Sequence, residues 1–212
     1  MKAAPQSIAF DTPKREEAAD TFGMWVFIGS EAMLFGAMLL VFFVARIGYG
    51  AAFAEASRHL SLTLGTVNTA VLITSSLAMA LAHLYSDAGR WRAAVRALLA
   101  TALLGAVFLA IKGSEYAMEF REGLAPVLGA PFTFDGPDPV HAAFFFSLYF
   151  AMTALHGLHL ACGMLVIGGL LALWRGTDAR SRRRRVRAVG LYWHFVDVVW
   201  VFLFPVLYLI NR

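Results

Sequence analysis

Five ionisable side chains lie within stretches of the sequence that are otherwise apolar. Glu31 occurs in WVFIGSEAMLFG, His156 and His159 occur in LHGLHLACG, and His194 and Asp197 occur in LYWHFVDVVWVFLFP. On a helix, residues three apart share a face, which places each of these histidines beside another polar group. Imidazole and carboxylate groups arranged in this way can bind a metal, relay protons or join helices by hydrogen bonds.

Three interpretations of these residues follow from their chemistry. One is a metal site built from Glu31, His156, His159 and Asp197. A second is a small transporter in which Glu31 or Asp197 is a proton-coupled binding group. The third is structural, with the polar groups holding helices together or contacting lipid headgroups. The sequence shows no inverted repeat, which disfavours a transporter, and His156 lacks a histidine at matching depth on another segment, which disfavours a haem. The structural interpretation is therefore favoured.

The composition indicates that these stretches lie in a lipid bilayer. Of the 212 residues, 59% are hydrophobic and 15% are charged, whereas soluble domains are roughly 45–50% apolar and about 25% charged. Five segments reach the roughly 20 residues that a spanning helix needs: 23–45, 66–85, 93–111, 140–174 and 188–210. We predict an all-α, polytopic membrane helix bundle with five transmembrane helices, in which a polar N-terminal tail (1–22) precedes a single transmembrane domain (23–212).

Further polar residues lie at or beyond the ends of these segments. Asn68 opens the second segment, and Glu115, Glu119 and Glu122 follow the third, ahead of a proline-rich connection. We expect these three glutamates to be exposed to water. Glu31, by contrast, lies inside the first segment, where an ionised and unpaired carboxylate is costly, so we expect it to be protonated or paired.

Basic residues are unevenly distributed among the connections. Thirteen of the 18 lysines and arginines lie in the N-terminal tail, the second connection and the fourth, which contains RGTDARSRRRRVR. The positive-inside rule places the N-terminus in the cytoplasm and the C-terminus outside. The arginine run is interpreted as a topology signal and an anionic-lipid contact, not as a nucleic-acid site. No secretory signal is visible, and the single cysteine, Cys162, allows no internal disulfide, so we expect a multi-pass protein of a bacterial cytoplasmic (inner) membrane.

The motifs, taken together, resemble subunit III of the haem–copper oxidases. YWHFVDVVWVFLFP is similar to that family's most recognisable stretch, LHGLH corresponds to its FHGLH motif, and WVFIGSEAMLF to its Ser–Glu segment. TVNTAVLITSS and GSEYAMEF match two further motifs and contain Asn68 and Glu115. The motifs occur in the family's order over residues 22–210, and the length resembles the short, five-helix form of the family.

The resemblance implies a subunit without catalytic, cofactor-binding or metal-binding residues of its own. Haem and copper would lie in oxidase subunits I and II, which reduce oxygen to water and pump protons. This chain would form a hetero-oligomer with them, bind membrane phospholipid and support proton uptake. The residues that would be buried polar or lipid-binding are Glu31, Asn68, Glu115, His156, His159, Trp193, His194 and Asp197. His194 and Asp197 would be internal ties of the bundle, with Trp193 and Trp200 packed around them.

One segment departs from the family's pattern, and one alternative lies close to it. RRRRVRAVG (182–190) stands where many members carry histidines and a glutamate, so the family's lipid contacts are not carried over to that segment. The accessory membrane subunit associated with nitric oxide reductases is homologous and similarly short. Glu31 and the full YWHFVDVVW stretch favour the oxidase. The electron donor, cytochrome c or quinol, binds to another chain, so this sequence does not distinguish the two.

Overall fold

The computed structural model describes residues 13–126 and 132–209, and within these ranges the chain is built from α-helices. Most of the predicted polar tail and Arg212 lie outside the described residues. The helices are α1 (Pro13–Gly48), α2 (Gly50–Arg58), α3 (Leu62–Asp87), α4 (Trp91–Arg121), α5 (Pro139–Ala172) and α6 (Ala179–Phe204). A 3₁₀ turn, Trp174–Gly176, follows α5, and a π-helical turn, Pro205–Leu209, continues α6.

Five of the helices are long and apolar enough to cross a membrane. The candidate spans are Thr21–Gly48, Leu62–Asp87, Trp91–Arg121, Pro139–Ala172 and Ala179–Leu209. At about 1.5 Å per residue, each exceeds the roughly 30 Å hydrocarbon core, so the helices tilt or project beyond it. The prediction of an all-α membrane bundle with five spanning helices is confirmed.

The short helix α2 lies in a segment that the sequence marked only as a break between spans. Its residues Ala52, Phe53 and Ala56 are buried and form one face, since their spacing matches a helical turn. The Phe53 ring contacts Phe145 of α5, with 5.4 Å between ring centroids. An amphipathic face packed on α5 therefore makes this segment helical.

Helix α4 extends ten residues beyond the predicted segment 93–111, and the expected exposure of two glutamates is wrong. Lys112, Glu115 and Glu119 all lie within α4 and are buried, with 5%, 2% and 4% of their surfaces exposed. Glycine ends the helix instead, because Gly123 has φ 70°, a conformation that favours glycine. Hydropathy placed the boundary at the first charge, but these charges bind one another inside the bundle.

The helix starts and the tightest turn follow local chemistry. Asp138 and Asp178 cap α5 and α6 by accepting backbone hydrogen bonds from His141 and Ser181. Hydrogen bonding to the His141 side chain and backbone lowers the pKa of Asp138, and bonds from Ser181 lower that of Asp178. Gly89, with φ 70°, closes the turn between α3 and α4. This turn places α3 and α4 side by side as a helical hairpin.

Helix α6 lies at the centre of the bundle. Its residues Trp193 and Trp200 are fully buried, and two glycines on neighbouring helices make room for Trp193. A Cβ atom at Gly105 of α4 would lie 3.0 Å from the indole, and one at Gly163 of α5 would lie 3.1 Å from it. The close approach of three helices therefore depends on these glycines.

Candidate functional site

Glu31 on α1 and His159 on α5 form a hydrogen-bonded pair between two helices. Glu31 Oε2 lies 2.9 Å from His159 Nε2, and His159 Nδ1 lies 2.8 Å from the Leu155 carbonyl oxygen. A carbonyl oxygen only accepts, so Nδ1 carries a hydrogen, and the Glu31 carboxyl and Nε2 share one further proton. The pair is neutral overall, whichever of the two groups holds that proton.

The same junction includes α6. The Tyr192 hydroxyl donates to the His159 carbonyl oxygen at 2.8 Å, and the Tyr192 ring lies 6.0 Å from the Phe27 ring of α1. Helix α1 is otherwise peripheral. In the most apolar stretch of its span 11% of the residues are buried, compared with 50% in that of α6. The Glu31–His159 pair is therefore a polar attachment of α1 to the rest of the bundle.

His194 of α6 bonds to α3 and not directly to Asp197. Its Nδ1 atom lies 2.9 Å from Ser76 Oγ and 3.9 Å from Asp197 Oδ2, which is too long for a hydrogen bond. Neither carboxyl oxygen of Asp197 has a hydrogen-bond partner in the part of the chain that the structure describes. His194 and Asp197 share a helix face, as their spacing predicted. The hydrogen bond that joins α6 to α3, however, is between His194 and Ser76.

The two central tryptophans bind the same helix. Trp193 Nε1 donates to Ser75 Oγ at 3.2 Å, and Trp200 Nε1 donates to Thr69 Oγ1 at 3.0 Å. Together with His194, they form a row of hydrogen bonds along the contact between α6 and α3. The row pairs indole and imidazole nitrogens of α6 with hydroxyl oxygens of α3.

His156 and Asn68 are fully buried, and neither belongs to the Glu31 pair. The His156 ring lies between Phe108 and Trp200, at centroid distances of 5.4 Å and 5.1 Å. Its two nitrogens and the polar side-chain atoms of Asn68 have no hydrogen-bond partner among the described residues. His156 and His159 therefore face different neighbours despite their spacing.

A buried charged cluster joins α4, α5 and the π-helical turn. Lys112 Nζ donates to Glu115 Oε2 at 2.7 Å, to Tyr149 OH at 2.8 Å and to Tyr208 OH at 3.0 Å. The Tyr208 hydroxyl donates to Glu115 Oε1, and the Tyr149 hydroxyl donates to Glu119 Oε1, both at 2.8 Å. Of these five residues, only Glu115 was predicted from the sequence as a buried polar or lipid-binding residue. A signal was present, because Lys112, Glu115 and Glu119 recur at helical spacing and so share one face.

The four residues of the metal hypothesis are not brought together. Glu31 pairs with His159, while His156 lies between two aromatic rings and Asp197 lies beside His194. Within residues 13–126 and 132–209, no group of three or more histidine, cysteine, aspartate or glutamate side chains could hold a metal ion. The geometry instead joins α1 to α5, α3 to α6, and α4 to α5.

Comparison with known proteins decides the family. The family model described as cytochrome c oxidase subunit III matches residues 15–211. This chain belongs to the cytochrome c oxidase subunit III family. It is 30% identical over 192 residues to cytochrome bo(3) ubiquinol oxidase subunit 3 of Pseudomonas aeruginosa, covering 90% of this chain and 84% of that protein. It is 28% identical over 202 residues to the probable quinol oxidase subunit 3 of Staphylococcus aureus, covering 95% and 94%.

Membership of the subunit III family confirms the prediction made from the motifs. The chain is a subunit III of a respiratory haem–copper terminal oxidase and therefore part of a multi-subunit membrane complex. In this subunit III, the YWHFVDVVW stretch is the part of α6 that bonds to α3. The LHGLH stretch is the part of α5 that holds Glu31 of α1.

Two grooves lie at the end of the bundle that carries the arginine run. One, of about 500 Å³, is lined by Arg183, Arg187 and Asp87 among others. The other, of about 520 Å³, lies between α1, α5 and α6. Its walls are mainly apolar, with Phe27 and Val166 among them, and Arg185 also lines it. The second groove has the size and polarity to hold an acyl chain beside a basic group.

Proposed function

We propose that this subunit III has no redox centre of its own and stabilises an oxidase whose haem and copper lie in subunits I and II. The observation that carries the proposal is how two pairs of ionisable groups inside its spans are used. Glu31 binds His159, and Lys112 binds Glu115, in each case within the chain. Groups committed to such contacts hold helices in place and leave none of these side chains free for a cofactor. The chain thereby supplies a rigid neighbour for the subunits that carry out the chemistry, and so supports proton uptake and sustained turnover.

Phospholipid binding by this chain is supported by the apolar groove between α1, α5 and α6. An acyl chain would lie against Phe27 and Val166, and the phosphate would lie near Arg185. Arginine suits this role, because its planar guanidinium binds phosphate oxygens in pairs. The remaining arginines of the run attract anionic headgroups from the same leaflet. This lipid site uses arginines in the segment where the sequence departs from the family pattern.

The membrane orientation and the electron donor are parts of the same proposal. The basic residues favour a cytoplasmic N-terminus, a C-terminus on the outer side and a bacterial inner membrane. Both relatives are named as quinol oxidase subunits, which favours quinol over cytochrome c as the donor to the complex. Oxygen consumption by the complex with each reduced donor distinguishes the two.

Isolation of an affinity-tagged chain from native membranes tests the proposed function. We expect a haem-bearing partner to accompany the chain and to reduce oxygen. A partner that reduces nitric oxide but not oxygen would instead indicate the accessory subunit of a nitric oxide reductase. Isolation of the chain alone, with a bound small substrate, would indicate a transporter and contradict the proposal.

A further inference from the structure

A mainly apolar groove that holds a few polar side chains opens on the outer surface of the bundle between α3 and α6. It has a volume of about 330 Å³ and contains His194, Asp197 and Ser76. Its rims are apolar and exposed, and they are formed by Ile73 and Val198 among others. A groove of this kind on a soluble protein would face water. On this chain it lies on two spanning helices, where either lipid or a neighbouring helix covers it.

The imidazole of His194 presents an unpaired nitrogen in this groove. The side chain is 43% exposed, while that of Asp197 beside it is 9% exposed. Nδ1 is bonded to Ser76 Oγ, and Nε2 makes no hydrogen bond to any residue in the described ranges. Neutral imidazole has one donor and one acceptor nitrogen. Either tautomer therefore leaves Nε2 without a hydrogen-bond partner among the described residues.

The depth of His194 restricts what can satisfy that atom. His194 lies halfway along the span Ala179–Leu209, and Ser76 lies near the middle of Leu62–Asp87. Phospholipid headgroups are roughly 15 Å from the centre of a bilayer whose hydrocarbon core is about 30 Å thick. Acyl chains offer no hydrogen bonds, so an unpaired group at this depth costs free energy. A partner with a polar group at the membrane centre is required.

Two other polar side chains exposed in the spans do not have this requirement. The Ser30 hydroxyl donates to the Phe27 carbonyl oxygen at 2.7 Å, and the Thr74 hydroxyl donates to the Ala70 carbonyl oxygen at 2.8 Å. Both are satisfied by their own helix and can face lipid. His194 does not use this solution, because Nδ1 contacts Ser76 and Nε2 makes no hydrogen bond to a carbonyl oxygen of the described residues.

We propose that a transmembrane helix of another oxidase subunit packs into the α3–α6 groove and gives a hydrogen bond partner to His194 Nε2. The inference rests on the proposed function, which supplies that subunit. A helix is the occupant, because the backbone of a spanning segment satisfies its own hydrogen bonds only in a helix or a closed barrel. The partner side chain at the membrane centre is polar, and its flanking side chains are apolar and pack against Ile73 and Val198.

Photo-cross-linking in the intact complex tests the position of this interface. A photoreactive amino acid replaces Val198, which is 51% exposed on the groove rim, or Leu103, which is 66% exposed near the middle of α4. We expect residue 198 to form a product with a haem-bearing subunit, and residue 103 to form none. A product from residue 103 but not from residue 198, a product of two copies of this chain, or lipid adducts alone would overturn the inference.

Substitution of His194 tests the hydrogen bond itself. His194→Phe keeps a ring and removes the polar atoms, so we expect retention of this chain with haem after detergent washing to fall roughly threefold to tenfold. His194→Gln keeps a donor and an acceptor and should restore most of the retention. Thr74→Val, at an exposed position of α3 that does not line the groove, is the control and should change nothing. Equal retention of the Phe and Gln variants would contradict the proposed bond.

The two proposals fail in different ways. If the unmodified chain carries no haem-bearing partner through isolation, the proposed function is wrong. If the partner is present but residue 198 gives no product with it, only the assignment of the groove is wrong. Because the Gln variant shares the substituted position, normal folding of that variant separates a lost contact from a misfolded chain.

Discussion

One proton lies between the Glu31 carboxyl and His159 Nε2, and this limits the charge states that the pair can adopt. The Leu155 carbonyl oxygen holds Nδ1 as a donor, so the carboxyl and Nε2 either remain neutral or form an ion pair. In both forms the contact spans α1 and α5 without a net charge, which suits a membrane interior. The pair is therefore a tie between helices, in agreement with the structural interpretation.

Replacing Glu31 should weaken the attachment of α1 without affecting haem. Glu31→Ala leaves His159 Nε2 without its partner, and hydrogen bonds between membrane helices are worth about 0.6–2 kcal/mol. We expect normal haem spectra, a lower thermal unfolding temperature of the complex and faster loss of activity during sustained turnover. Glu31→Gln can still donate to Nε2 and should be milder. Loss of haem from the Ala variant would show that this account of the pair is wrong.

The Lys112 cluster should respond to single and double substitutions in a non-additive way. Lys112→Met leaves the Glu115 carboxylate buried and uncompensated, and removal of one partner from a buried ion pair typically costs about 3–5 kcal/mol. Lys112→Met combined with Glu115→Gln removes both charges and should be closer to the unmodified protein. Thermal unfolding of the four proteins in a double-mutant cycle measures this coupling. Additive losses would contradict a direct Lys112–Glu115 pair.

The sequence allowed the buried glutamate and histidine residues to be predicted as candidates, but not their partners. Glu31 and His159 were both identified, yet a contact between residues 128 positions apart is set by tertiary packing. Lys112 lies one residue beyond the predicted segment 93–111, because a lysine lowers hydropathy whether or not a carboxylate lies beside it. Ser75 and Ser76 carried no signal, since their role depends on which indole or imidazole of α6 faces them.

At the scale of elements, hydropathy and length were sufficient for the five spans but not for their ends. Hydropathy averages over a window, so it detected α4 and missed the turns of α4 that carry charges. Helix α2 is too short for a membrane span and became visible only through its packing on α5. Helix boundaries here depend on caps such as Asp138 and on left-handed glycines such as Gly89.

The packing of α5 against α6 should be sensitive to one glycine and insensitive to another. Gly163→Ala places a methyl group about 3.1 Å from the buried Trp193 ring, and overpacking of this kind costs about 1–3 kcal/mol. Gly168→Ala, on the same helix, meets nothing within 4 Å and serves as the matched control. We expect only the first to lower the thermal unfolding temperature. Equal effects would mean that Trp193 can move aside.

At the scale of the whole molecule, the basic residues predict one orientation in the membrane. In a Cys162→Ser background, a cysteine at position 183 should react with an impermeant reagent only when the cytoplasmic side is accessible. A cysteine that replaces Arg58, at the end of α2, should show the opposite behaviour. The structure strengthens the expectation, because Lys112 is buried in the bundle and does not count as a basic residue of the outer face. Labelling of position 183 in intact cells would show that the orientation is the reverse of the predicted one.

The central claim is that this subunit III stabilises the oxidase and holds none of its redox centres. The most direct measurement compares the oxidase purified with and without this chain, by haem and copper content and by oxygen consumption followed through sustained turnover. The account predicts the same metal and haem content per subunit I, a similar initial rate, and faster inactivation in the absence of this chain. A missing haem or copper ion in the complex that lacks the chain would contradict the account.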